Sequence, residues 1–336
     1  MTYHTMNICE LRNRLITHDG EGVMVANLLG SLEEKDNPEQ ILMDGLARKK
    51  TSFIRGTRKW HEVLVPLKPA AQALKTEEEG CQESLLVQVG ACNLRCWYCF
   101  VDVNLITGAK DYTKELSVDK VVEYLKDHQQ YKILHISGGE PLLSIEFIQK
   151  LQTQLKACLD KKAPYLWMET NLTVSPYDLP IECYSKLETV FQNKKVGVVG
   201  CFRSFVPDEY SKTIGGLDVN WYKQFSVARD LTSLGADFYS TVVLMTNDFR
   251  NVESKIKYFF DTYIKYLGEQ KMNRLLPIEI RRYTPTKERL DDEYEKLIQS
   301  QYDVLPIWKD IYKSYLGKQE LQEQLIKEKI YERNIL

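Results

Sequence analysis

The sequence predicts an α/β protein, built as a partial, TIM-like (β/α)6 barrel with an N-terminal extension and C-terminal helices. Three observations carry this. From about Ser84 onward, short β-branched runs alternate with amphipathic stretches, the pattern of successive βα units and of a parallel sheet. Six such units occur, too few for a closed eight-stranded barrel. A 43% hydrophobic content, with 45 Lys and Arg against 47 Asp and Glu, leaves ample apolar surface for a core and argues against disorder.

The first strand is expected at residues 85–89, ending at Gly90 and a loop rich in cysteine. After that loop Ser117 can cap a helix whose Val118, Val121, Val122 and Leu125 share one face. The second strand, residues 133–136, runs into Ser137, Gly138, Gly139, Glu140 and Pro141, and its helix buries Phe147, Ile148, Leu151 and Leu155, with Cys158 continuing the stripe. Residues 165–169 form the third strand, ending in Thr170 and Asn171, and residues 196–202 the fourth. Trp221, Phe225, Ala228 and Leu231 mark the next helix. A fifth strand spans residues 237–245, with Val252, Ile256, Phe259, Tyr263 and Leu267 at helical spacing behind it. The sixth covers residues 277–283, where alternation puts Glu279, Arg281 and Tyr283 on one face and Arg282 on the other.

Three segments result: an N-terminal extension or lid over residues 1–83, the barrel core over 84–285 and a C-terminal helical segment over 286–336. The extension has a weak strand pattern at residues 62–65, and a basic run with an aromatic residue (Arg55, Arg58, Lys59, Trp60) that reads as a solvated face. The C-terminal segment reads as two or three helices, and Trp308, Ile311, Tyr312 and Tyr315 as a packing stripe.

No apolar run reaches the roughly 18 residues of a membrane span, and the first residues lack a secretory pattern. A soluble, cytoplasmic protein is expected, in which closely spaced cysteines serve metal or catalysis rather than disulfides. A net charge of −2 gives no global field for gathering nucleic acid.

The loop after the first strand contains Cys92, Cys96 and Cys99 in the spacing Cys-x3-Cys-x2-Cys. Three thiolates on one tight loop at the carboxyl end of a strand can converge on an iron–sulfur cubane while leaving one iron without a protein ligand. Zinc is the alternative, but its structural sites use four protein ligands, normally as two separated pairs, and no such fourth partner lies nearby.

That spacing, with Tyr98 before the last cysteine, resembles the signature of the radical S-adenosylmethionine (SAM) superfamily, and residues 137–141 are similar to its Gly-Gly-Glu-Pro element one βα unit downstream. The resemblance covers roughly residues 84–285. It implies a [4Fe-4S] cluster on Cys92, Cys96 and Cys99, whose open iron chelates the methionyl group of SAM. An electron from the cluster would then break the sulfonium-to-C5′ bond, giving a 5′-deoxyadenosyl radical that takes hydrogen from a substrate at the barrel mouth. A reducing partner such as flavodoxin or ferredoxin is implied.

The same resemblance assigns Gly138, Gly139, Glu140 and Tyr98 to the cofactor site. Glycine lets the backbone approach the ligand's amino group, so Gly139→Val is expected to leave the cluster and weaken cofactor binding. Residues 168–171 are similar to the Asp-Thr-Asn-Gly element of pyruvate formate-lyase activating enzymes, implying that Glu169 accepts from the ribose hydroxyls, although Leu172 stands where glycine is usual. Arg203, at the basic position of a Ser-x-Lys-Gly-like segment, would pair with the methionyl carboxylate. Cys201 shares its strand face and would be a hydrogen-atom donor or a buried structural thiol. No cysteine follows Cys201, so no C-terminal auxiliary-cluster domain is expected. The functional readings are tailoring of a small molecule or peptide, activation of a glycyl-radical enzyme, or a non-catalytic iron–sulfur protein that transfers electrons or senses redox state.

Overall fold

The computed structural model describes residues 7–51, 67–287 and 289–316. The strand pattern at residues 62–65, the basic run at residues 55–60 and the last twenty residues of the C-terminal segment lie outside these. Among the described residues eleven strands form one sheet. In chain order they are β1 (Ile16–Thr17), β2 (Gly22–Ala26), β3 (Ile41–Leu42), β4 (Ala47–Thr51), β5 (Glu83–Val89), β6 (Thr113–Ser117), β7 (Ile133–Gly138), β8 (Tyr165–Thr170), β9 (Val196–Phe202), β10 (Asp237–Val243) and β11 (Leu275–Ile278).

Strands β5, β7, β8, β9, β10 and β11 pair parallel in that order, giving the six-stranded partial barrel, and the sheet is not closed. The free edge of β5 is covered by two antiparallel neighbours from the N-terminal segment: β4 along residues 83–86 and β2 at Val89. Strand β6 adds to β2. An exposed edge would offer unpaired amides to other chains, and these additions occupy it.

Helices pack outside the barrel. In chain order they are α1 (Ile8–Leu15), α2 (Leu32–Asp36), α3 (Leu67–Leu74), α4 (Val118–Asp127), α5 (Ile145–Leu159), α6 (Glu182–Phe191), α7 (Pro207–Thr213), α8 (Lys223–Ser233), α9 (Val252–Leu267), α10 (Thr284–Lys287) and α11 (Asp292–Tyr315). The Ser117 hydroxyl caps α4 by accepting from the Lys120 amide at 3.2 Å, and Val118, Val121, Val122 and Leu125 are buried beneath it. Each such fully buried side chain contributes about 1.5–3 kcal/mol relative to exposure. The stripe on α11 packs as expected: Trp308 meets Phe260 of α9 edge to face at 4.4 Å between ring centroids. Helix α3 closes the end of the barrel away from the strand carboxyl termini, its Ala70 and Ala71 lying against Ile133, Tyr165, Trp167 and Val199.

Two expectations are corrected. Cys158 is exposed rather than part of the buried stripe of α5, because Leu159, one residue on, takes the packing position. The sixth strand ends at Ile278 instead of residue 283. It is the sheet's outermost strand, and beyond it the fully buried Gln301 of α11 takes over the backbone, donating to the Ile280 carbonyl and accepting from its amide, both at 2.9 Å.

Candidate active site

A cavity of about 590 Å³ opens at the carboxyl ends of the parallel strands, where barrel sites lie. Of the residues singled out in the sequence, Cys92, Cys96, Tyr98 and Cys99 from the first loop, Gly138 and Gly139 from β7, Glu169 from β8, and Cys201 and Arg203 from β9 all line it. Glu140 does not.

The cysteine loop is held mainly through its backbone. The Cys92 amide donates to the Ile106 carbonyl at 2.9 Å and the Arg95 amide to Ile214 at 3.3 Å. From the turn after α10, the Arg289 guanidinium donates to the Cys99 carbonyl, and to those of Cys96 and Val101 at 3.4 Å. Burial pushes the Cys92 thiol up to about 11 and the Cys96 thiol up to about 12, and the cysteines raise one another further. Arg95 opposes this at Cys92, Arg203 at Cys96 and Arg289 at Cys99. Clustered buried thiols within reach of three guanidiniums fit a group that binds thiolates and carries its own positive charge. Among the described residues no three His, Cys, Asp or Glu side chains close on a single ion position.

The glycines at the end of β7 have a different reason from the one expected. Gly139 donates to the Val89 carbonyl at 2.9 Å, and the next amide, Glu140, to the Ala91 carbonyl at 2.8 Å. A Cβ on Gly139 would lie 2.0 Å from the Ala91 oxygen, and one on Gly138, at φ +82°, 2.5 Å from the Gln88 Cβ. Glycine is needed here because β7 ends against the backbone that leads into the cysteine loop. Glu140 serves the same junction: its carboxylate accepts from the amides of Leu142 at 3.1 Å and Asn171 at 2.8 Å, while burial raises it to about 7.

At the end of β8, Asn171 donates to Asn93 at 2.9 Å and to the Cys92 sulfur at 3.5 Å, tying the third strand to the cysteine loop. Leu172 keeps the left-handed conformation (φ +61°) that a glycine would adopt freely, and its fully buried side chain packs over Gly200. The backbone cost, about 1–2 kcal/mol, is offset by that burial. Tyr98 and Arg203 each keep a buried polar atom, the hydroxyl and Nε, without a hydrogen-bond partner. Such atoms are costly unless a ligand completes them.

Several cavity residues carried no sequence signature. Arg48 and Lys50 of β4 stand opposite Leu86 and Ser84 of β5, and Glu33 comes from α2. His135, two residues before Ser137, lies on the same strand face, so alternation would have found it. Its Nε2 is 3.0 Å from the Glu169 carboxylate but out of line for a hydrogen bond, while Ser137 donates to Glu169 at 2.5 Å. Burial works against the charge on Glu169, yet His135, Lys50 and Ser137 outweigh it and bring its carboxyl down to about 2.

Burial, reinforced by Lys50, lowers His135 from 6.5 to about 4. As pH falls through that interval the unfolded chain binds a proton that the folded chain refuses, so stability declines. Thermal melts of His135→Gln are expected to show a shallower loss of stability than wild type between pH 6.5 and 4. Equal slopes would mean that His135 does not titrate in the folded state as described.

Residues 87–191 match the family model of the radical SAM superfamily. Over these residues the chain carries a domain of that superfamily, whose cofactors are a [4Fe-4S] cluster and SAM. Similar solved structures include Streptococcus suis SuiB bound to the precursor peptide SuiA, with 17% identity and a TM-score of 0.43 over 66% of this chain and 45% of that one. Another is native anSMEcpe with bound AdoMet, with 18% identity and a TM-score of 0.40 over 58% of this chain and 51% of that one. The cobalamin-dependent SAM radical enzyme OxsB with aqua-cobalamin bound has 12% identity and a TM-score of 0.39 over 66% and 30%. The chain spans about half the length of these structures or less. No curated protein matches it.

Proposed function

We propose that this protein is a radical SAM enzyme that tailors a small-molecule or peptide substrate. The observation that carries the reading is the meeting of the three-cysteine loop and the Gly138–Gly139 strand end at one cavity. When bound, a [4Fe-4S] cluster and SAM together supply a reductive cleavage that generates an organic radical. In this assignment Cys92, Cys96 and Cys99 hold the cluster, and the backbone at Gly138 and Gly139 forms one wall of the SAM site. Arg203 pairs with the SAM carboxylate, Glu169 accepts from the ribose hydroxyls, and Tyr98 packs beside Arg203. Glu140 positions the β7 end rather than touching the cofactor. Cys201 lines the same cavity as a thiol that burial keeps protonated, the form in which sulfur can return a hydrogen atom to a substrate.

Eight free cysteines suit a reducing compartment, and a flavodoxin or ferredoxin in the cytoplasm would supply the electron. Among the described residues no helix is long and apolar enough to cross a membrane.

Anaerobically reconstituted protein, given dithionite and SAM, is expected to form 5′-deoxyadenosine. An intact cluster that yields none would favour an electron-transfer or redox-sensing protein.

A further inference from the structure

Beneath the residues assigned to the cofactors, the cavity continues toward α3 as a polar chamber. Antiparallel partners share a sheet face, so Arg48 and Lys50, opposite Leu86 and Ser84, point into the barrel with the inward residues of β5. His135 and Thr241 face them from β7 and β10. These two side chains are 0% and 2% exposed, and the His135 nitrogens and the Thr241 hydroxyl all lack a hydrogen-bond partner. Arg48 also keeps Nε unpartnered, although another of its nitrogens lies 3.6 Å from Glu33. A dry core would not retain so many unmet groups from separate elements, since each costs about 1–3 kcal/mol.

From this chamber we infer that the substrate is a small carboxylic acid, its carboxylate held by Arg48 and Lys50 and a further polar group by His135 and Thr241. The inference rests on the radical SAM reading of the cavity above it. Charge selects a carboxylate over a phosphate. The two cations face Glu33 and Glu169, so a singly charged group leaves less repulsion than a dianion. A guanidinium also matches a carboxylate's two oxygens with parallel donors.

Size selects a small molecule over a peptide. Cavities of about 300–1,000 Å³ ordinarily hold one drug-sized ligand, and this one, at about 590 Å³, must take the cluster and SAM as well. Its floor is sealed by α3, and the Thr284 hydroxyl bonds to Asp36, joining α2 of the N-terminal segment to the start of α10.

The test titrates lactate, methylphosphonate and putrescine, at matched ionic strength, into reconstituted protein with SAM bound, and reads the melting temperature. A ligand that binds only the folded state raises it saturably. Lactate, with one carboxylate and one hydroxyl, is expected to do so, and Arg48→Gln and Lys50→Gln each to weaken its effect tenfold or more, with circular dichroism confirming that the variants fold. Lys50→Gln leaves the Arg48–Glu33 pair intact and guards against misfolding of the other. No response to lactate, a larger response to methylphosphonate or putrescine, or variants that bind lactate like wild type would each overturn the assignment. Formation of 5′-deoxyadenosine by the wild-type protein, measured separately, decides the radical reading and leaves the binding result to stand or fall alone.

Discussion

A Cys96→Ala protein is expected to fold, to assemble no iron–sulfur cluster, and to form no 5′-deoxyadenosine above background. Folding survives because the loop is fastened by groups that the substitution leaves in place: the Cys92 amide on Ile106, the Arg95 amide on Ile214, and Arg289 on the carbonyls of Cys96, Cys99 and Val101. The thiol is buried at the edge of the core but lines the cavity, so its loss enlarges a space already present rather than opening a new void. The cluster fails because two remaining thiolates cannot provide the three protein ligands this site offers. Iron content, cluster absorbance and product formation should all fall to background together. Cys158→Ala, an exposed thiol far along the chain, serves as the control and should assemble iron like wild type. Full iron occupancy in Cys96→Ala would remove that residue from the ligand set.

The parts of this molecule legible in its sequence are those determined by neighbours along the chain. Val196–Phe202 is a strand with the expected bounds because both its faces are buried and its apolar run is continuous. The cap at Ser117 and the stripe below it depend on residues within three turns of each other. The three cysteines were legible for the same reason, lying within eight positions.

What escaped depends on distant partners. Strand β4 reads Ala-Arg-Lys-Lys-Thr, which shows no apolar alternation, since its inward side chains face a polar cavity instead of a core. Arg289 reaches the cysteine loop across 190 residues, and Glu33 meets Gln88 across 55. Such contacts follow from the tertiary fold and leave no local pattern. The glycine pair was found for a sound reason, closeness of approach, but the approaching group is the chain's own backbone at Ala91 and the side chain of Gln88.

That difference changes what Gly139→Val should do. The sequence alone suggests a protein that keeps its cluster and binds SAM poorly. The structure leads to a broader failure, because the new Cβ would lie 2.0 Å from the Ala91 carbonyl oxygen and 2.6 Å from that of Val89, and neither is a side chain free to rotate away. Relief requires β7 and the loop start to separate, which breaks the Gly139–Val89 and Glu140–Ala91 hydrogen bonds. Buried groups left unpaired in this way cost about 1–3 kcal/mol each, a large share of the roughly 5–15 kcal/mol that holds a domain folded. Ala91 directly precedes Cys92, so the displacement moves a cluster ligand as well. Gly139→Val is therefore expected to melt well below wild type and to retain little iron after reconstitution. Gly216→Ala, at a φ of +77° but with open space around it, should lose only about 1–2 kcal/mol and reconstitute normally. If Gly139→Val instead melted like wild type, held full iron and lost only affinity for SAM, the glycine would be there for the cofactor after all, and the crossing at Ala91 would have more room than its hydrogen bonds indicate.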